Sequence, residues 1–159
     1  MAVWLPQQLS AARPMTQPTK ASQSKVTVSG EASSVSSLTD GLVPKDENDR
    51  SISYYQWWPK KGTTEWVIYE FPETQSIGSS TVYWYDDGPW GGCRVPKSWK
   101  IYYKDATGSW QPVKGVAKYP TAKGSANRVE FDIVNTKALK LEVELPADNS
   151  TGIFEWEVE

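Results

Sequence analysis

The side chains with chemical potential gather in two stretches. Residues 86–98 read DDGPWGGCRVPKS, which sets the adjacent carboxylates Asp86 and Asp87, the ring of Trp90 and the Cys93–Arg94 pair among Gly88, Gly91 and Gly92. Residues 40–62 carry the acidic cluster Asp46, Glu47, Asn48 and Asp49, then Tyr54, Tyr55, Trp57 and Trp58. Two carboxylates can hydrolyse a glycosidic bond, one as acid and one as base or nucleophile. Adjacent strand residues point to opposite faces, however, so at most one of Asp86 and Asp87 faces a given cleft. Cys93 beside Arg94 reads as a thiol of lowered pKa or as a small buried residue at the root of a glycine-rich loop. The sequence holds no histidine, which removes the commonest general base and metal ligand and excludes Ser–His and Cys–His nucleophile pairs. Fold pattern and motif both argue against catalysis by this chain. The glycines permit positive φ in a tight loop, and no phosphate-binding pattern surrounds them.

These stretches must be positioned by strands. Val129, Phe131 and Ile133 alternate with Arg128, Glu130 and Asp132, and Leu139, Leu141, Val143 and Leu145 alternate with Lys140, Glu142 and Glu144. Trp99, Ile101 and Tyr103 alternate in the same way with Lys100, Tyr102 and Lys104. A strict period of two buries one face and wets the other, as in antiparallel strands. Val26 and Val28, residues 65–71, residues 81–85, and Phe154, Trp156 and Val158 supply further short strands, and Asp105 to Gly108 before Trp110 reads as a hairpin turn. No window sustains a helical period. About seven short strands with long connections predict an all-β antiparallel sandwich or jelly roll. Its core is expected to hold Val129, Phe131, Leu139, Leu141, Trp99, Ile101 and Trp156. The two long connections exceed simple turns, and loops of that length in a compact domain usually carry function or disorder.

At 159 residues, one domain plus a tail can bury roughly two-thirds of its unfolded surface without staples. The single cysteine forms no internal bridge. A net charge of −2 with interleaved lysines and acids offers no field for phosphates, so nucleic acid is not an expected partner. No run reaches the roughly 20 apolar residues of a membrane span, and residues 1–6 lack the pattern of a signal peptide. Neither a membrane partner nor an oligomer is expected. Residues 7–24 mix Gln, Ala, Pro, Ser and Thr, a composition that reads as a linker, with the folded domain beginning near Lys25 and running to Glu159. Nine Trp and eight Tyr against three Phe favour rings with a polar edge, most of them in the core and those in loops available for stacking.

The order Leu38-Thr39-Asp40-Gly41, Trp57-Trp58, then Trp66-Val67-Ile68-Tyr69 resembles the opening of discoidin-type domains, which include coagulation factor 5/8 type C domains and family 32 carbohydrate-binding modules. Residues 97–101 followed by residues 105–110, and the ending of residues 153–158, are similar to the later strands of those domains. A closer resemblance rests on Trp57-Trp58-Pro59, residues 62–66, residues 82–87 and residues 91–96. These look like the domain that follows the catalytic domain in bacterial glycoside hydrolase family 127, the β-L-arabinofuranosidases, and residues 1–6 resemble the last strand of that catalytic domain.

The resemblance implies a galactose-binding-like sandwich over residues 25–159 and a tail of the preceding domain and linker over residues 1–24. It also implies an accessory role in a secreted or periplasmic glycoside hydrolase acting on plant-type glycans. The zinc-bound cysteine nucleophile of that family belongs to the upstream catalytic domain. Under this reading Trp90 is a stacking platform for a sugar, with Trp58 beside it and Asp86, Asp87 and Arg94 to fix hydroxyls. The alternative is a domain that docks on the catalytic domain and stabilises it, with Trp90 packed on that partner or on Trp57 and Trp58. The resemblance further implies a structural calcium ion held by Asp40, by a loop oxygen near Asp49 or Ser51, and by Glu155, oxygen ligands that suit this ion. Asp40 can equally close the turn before Gly41.

Overall fold

The computed structural model describes residues 17–159. The strands are β1 (Lys25–Val28), β2 (Tyr55–Gln56), β3 (Thr64–Tyr85), β4 (Ser98–Lys104), β5 (Trp110–Pro112), β6 (Asn127–Glu144) and β7 (Gly152–Val158), and one 3-10 turn spans Val35–Thr39. Every pairing between them is antiparallel. The predicted all-β class holds, and no helix among the described residues is long and apolar enough to cross a membrane.

Two long strands build both layers. The stretches expected as separate strands at residues 65–71 and 81–85 are one strand, and so are those carrying Val129 and Leu139. The first part of β3 pairs with Ala138 to Glu144 of β6, and after a register shift between Glu70 and Gln75 its second part pairs with Asn127 to Thr136. Such irregularities bend a strand and increase its twist, so the β3–β6 ribbon folds over on itself. One layer reads β1–β3–β6–β4–β5 and the other β2–β7–β3–β6. The layers meet through aromatic rings: Tyr69 stacks on Trp156 with centroids 4.0 Å apart, and Trp84 meets the edge of Trp99 at 5.6 Å.

All seven core residues expected from alternation are buried, but Ile133 is 71 % exposed. The buried phase of β6 runs through Val129 and Phe131, moves to Thr136 and Ala138, and returns at Leu139. The phase change coincides with the shifts between Ile77 and Ser79 and between Glu70 and Gln75 on the partner strand. A bulge therefore turns a regular sequence pattern outward for one residue.

Ordered contacts also precede β1 among the described residues. Thr19 and Ser22 exchange side-chain hydrogen bonds with each other's backbone N–H at 2.8 and 2.9 Å, and the N–H of Ser24 donates to the carbonyl of Ala21. Ala21 is buried in the main core. A capped turn in this polar stretch thus anchors one methyl group on the core ahead of β1. The expectation for residues 1–6 lies outside the described residues.

Candidate functional site

The loop between β3 and β4 is held from within. Asp86 is 1 % exposed, and its two oxygens accept the N–H groups of Gly88 and Val95, each at 3.0 Å. Asp87 accepts from the N–H of Cys93 at 2.8 Å and from the hydroxyl of Tyr85 at 3.1 Å. Arg94 donates to the carbonyls of Gly91 and Cys93 at 2.7 and 2.9 Å and lies 3.9 Å from Asp87. A loop without a regular ladder must satisfy its own backbone groups, and these three side chains do so. Asp86, Asp87 and Arg94, expected to fix the hydroxyls of a ligand, are here engaged with the backbone of the loop that carries Trp90 and with Tyr85.

Two glycines are needed for close approach. A side chain at Gly91 would collide with the Asp87 carboxylate, and one at Gly92 would collide with the Trp58 ring. The root of the loop rests on a second apolar cluster of Tyr85, Cys93 and Phe154, where Tyr54 stacks on Tyr85 at 3.7 Å. Burial, then the charges of Asp87 and Asp86, push the Cys93 thiol up to about 12 against the smaller opposing pull of Arg94. Its Sγ–H donates to Gln56 Oε1 at 3.3 Å. Cys93 is a protonated structural residue and not a nucleophile.

The tryptophan rings range from buried to almost fully exposed. Trp57, Trp84, Trp99 and Trp156 are buried, whereas Trp90 is 88 % exposed and Trp58 is 49 % exposed. Trp90 does not pack beneath Trp57 and Trp58. The structure brings Trp58 to the same loop through its contact with Gly92, and Lys61 Nζ lies 5.4 Å from the Trp58 ring centroid. Trp58 also walls a cleft of about 280 Å³ lined by Glu31, Ser33, Gln56 and Lys60. Sequence reading missed those four residues because they come from separate polar segments with no shared spacing.

The calcium candidates separate as well. Glu155 Oε2 accepts the N–H of Gly41 at 3.0 Å, and Asp40 Oδ1 accepts the N–H of Leu42 at 2.9 Å, closing the turn as its type favours. Glu155 Oε1 is buried and has no partner. Burial, followed by the neighbouring Asp40 carboxyl, pushes the Glu155 carboxyl up to about 10. Thr39, Gly41, Glu155 and Glu157 line a cavity of about 200 Å³ at this corner. Asp49 does not complete the set. Its oxygens take the hydroxyl and N–H of Ser51 at 2.6 and 2.8 Å and the N–H of Lys45 at 3.0 Å, and the Ser51 hydroxyl above all lowers its carboxyl to about 2. Among the described residues no three acidic, His or Cys side chains gather to hold a metal. The orphaned Glu155 oxygen facing Asp40 still suits a cation better than it suits two neighbouring carboxyls.

No family model matches the chain. Among solved structures, a chain from the Streptococcus pneumoniae β-galactosidase BgaA aligns with a TM-score of 0.72 at 20 % identity, over 91 % of this chain and 96 % of that one. The family 32 carbohydrate-binding module of C. perfringens NanJ, in complex with galactose, aligns with a TM-score of 0.66 at 13 % identity, over 87 % and 95 %. The fold is that of the family 32 modules. Chitosan-binding module 1 of a Paenibacillus sp. IK-5 chitosanase/glucanase shares it too, with a TM-score of 0.62 at 15 % identity over 90 % of this chain and 99 % of that one. In this galactose-binding-like sandwich, the described chain places its most exposed large ring, Trp90, on a loop braced from below.

Proposed function

We propose that this chain is a non-catalytic carbohydrate-binding domain, with Trp90 as the stacking platform and Trp58 beside it. The carrying observation is the 88 % exposure of Trp90 on a loop that Asp86, Asp87 and Arg94 hold from within. Flat amphipathic rings suit the faces of sugars. The likeness in fold to modules in complex with galactose and with chitotriose supports this reading. Of the four exposed large apolar side chains among the described residues, Val43, Trp58, Trp90 and Ile133, two lie at this loop. The sequence resemblance supports a parent enzyme of the family 127 type, secreted or periplasmic and acting on plant-type glycans.

Asp86 and Asp87 are committed to the loop backbone and are poorly placed as an acid–base pair, so the pure chain is expected to hydrolyse no arabinofuranoside. A single platform with a few hydrogen bonds should bind a short saccharide at about 0.1 to 1 mM, or about 4 to 5.5 kcal/mol. A glycan array probed with the chain and with its Trp90→Ala variant, in calcium and in chelator, tests the proposal. Binding that vanishes in the variant supports it. Binding to no glycan, with a fall in stability of the parent enzyme on the same substitution, would favour docking on the upstream domain.

Asp40 and Glu155 are the residues that would hold a calcium ion at the corner beside Gly41, without Asp49. The ion would supply the positive charge that offsets the cost of burying the Glu155 carboxylate. Its role would be to tie the turn after the 3-10 segment to β7.

A further inference from the structure

The cleft beside Trp58 has the makings of a second sugar subsite. Trp58 touches Gly92 on the loop that carries Trp90 and at the same time walls the cleft lined by Glu31, Ser33, Gln56 and Lys60. One half-exposed ring therefore joins the Trp90 platform to a polar recess.

The floor of that recess is ordered by a relay of hydrogen bonds. Trp57, buried under the cleft, donates its Nε1–H to Ser29 Oγ at 3.2 Å, Ser29 donates to Glu65 Oε1 at 2.7 Å, and Lys60 Nζ pairs with the same oxygen at 3.0 Å. Lys60 also reaches the Ser29 carbonyl at 3.3 Å. An ammonium has three N–H groups, so one remains for a ligand. Gln56 gives its Oε1 to Cys93, which leaves its amide N–H₂ available. Glu31 is exposed and has no ion-pair partner among the described residues. The cleft thus presents donors from Lys60 and Gln56, an acceptor from Glu31 and a hydroxyl from Ser33 beside an aromatic wall. This mixture matches the hydroxyls and apolar face of a sugar unit.

We infer that the site takes an extended oligosaccharide: one unit stacks on Trp90, and the chain passes Trp58 so that a later unit enters the cleft of Glu31, Ser33, Gln56 and Lys60. The inference rests on the carbohydrate-binding reading and adds its ligand class, an internal stretch of a linear glycan rather than a lone terminal sugar.

Calorimetric titration of the full chain tests it, using each monosaccharide and its linear tri- and pentasaccharide from α-1,5-arabinan, β-1,4-galactan, β-1,4-xylan and chitosan. In a series that binds, the trisaccharide is expected at least tenfold tighter than its monosaccharide. Glu31→Ala and Trp58→Ala should each bring the trisaccharide down toward the monosaccharide's affinity, and Trp90→Ala should abolish binding of both. Because Glu31 is an exposed surface residue, its variant separates ligand contact from any disturbance that loss of the Trp58 ring causes at Gly92. Equal affinity along the chain-length series, or no effect of either Glu31→Ala or Trp58→Ala, would overturn the extended site and leave single-sugar binding standing. No binding in any series would overturn both.

Discussion

The Asp86–Asp87 loop and the Asp40–Glu155 corner each bring two carboxyl groups together, and they use them in opposite ways. In the loop every carboxylate oxygen has a donor within 3.1 Å, drawn from Gly88, Val95, Cys93 and Tyr85. At the corner one oxygen of Glu155 is buried with no donor, and the group is pushed up to about 10. Residue type alone does not make a ligand site. A carboxylate whose oxygens are all hydrogen-bonded is scaffold, whereas one left unsatisfied against another acid invites a proton or a cation.

The largest effect should come from breaking the satisfied side. Asp86→Ala leaves the N–H groups of Gly88 and Val95 without their acceptor and is expected to destabilise the domain by about 2 to 3 kcal/mol. Sugar binding should be lost with it, since Trp90 loses its support. Chemical denaturation measures the first effect and calorimetry the second, and an unchanged denaturation midpoint would show that Asp86 does not brace the loop.

On the unsatisfied side, calcium at 100 times its Kd should stabilise the fold by about 2.7 kcal/mol. Coincident melting curves in calcium and in chelator would remove the proposed cation from Asp40 and Glu155.

A pH series sharpens the same contrast. Glu155 moves from its ordinary 4.5 up to about 10 on folding, so between those values the folded chain holds more protons at this group than the unfolded chain. Stability from this group is therefore complete below about pH 4.5 and is lost as pH rises toward 10. In chelator, Glu155→Gln, which mimics the neutral acid, should flatten that decline and also abolish the response to calcium. A decline of equal steepness in the variant would assign the pH dependence elsewhere.

The smallest stability effect belongs to Trp90→Ala, expected within about 0.5 kcal/mol of the parent because the ring is exposed, while sugar binding disappears. A fall in the melting temperature of many degrees would make the ring part of the scaffold and close the contrast between loop and platform.

Much of the fold was legible in the sequence. Alternation at Leu139, Leu141 and Val143 and at Trp99 and Ile101 depends only on the pleat, which sends successive side chains to opposite faces. The turn at Asp105 to Gly108 was legible for an equally local reason: the Asp105 carboxylate takes the N–H groups of Thr107 and Ser109 at 2.9 and 3.0 Å. Trp90 stood out because its neighbours, Pro89 and Gly91, offer a ring little to pack on. Ile133 was misread because it lies in a bulge of β6, where the three residues between Glu130 and Val134 oppose Gly78 alone, and a period of two carries no information across a bulge.

The sequence by itself determined most of the strand-forming stretches, most of the core and the ring that projects. Only the tertiary structure decided that β3 and β6 each run through both layers, and that Asp86, Asp87 and Arg94 engage the loop backbone. It alone brought Trp58 onto Gly92, set Glu155 against Asp40 while Asp49 stayed with Ser51, and assembled Glu31, Ser33, Gln56 and Lys60 around one cleft. The physical reason is range. A strand's inward face follows from its own pleat, but the satisfaction of a carboxylate or the lining of a cleft depends on donors and walls from segments tens of residues away, whose meeting is fixed only when the layers close.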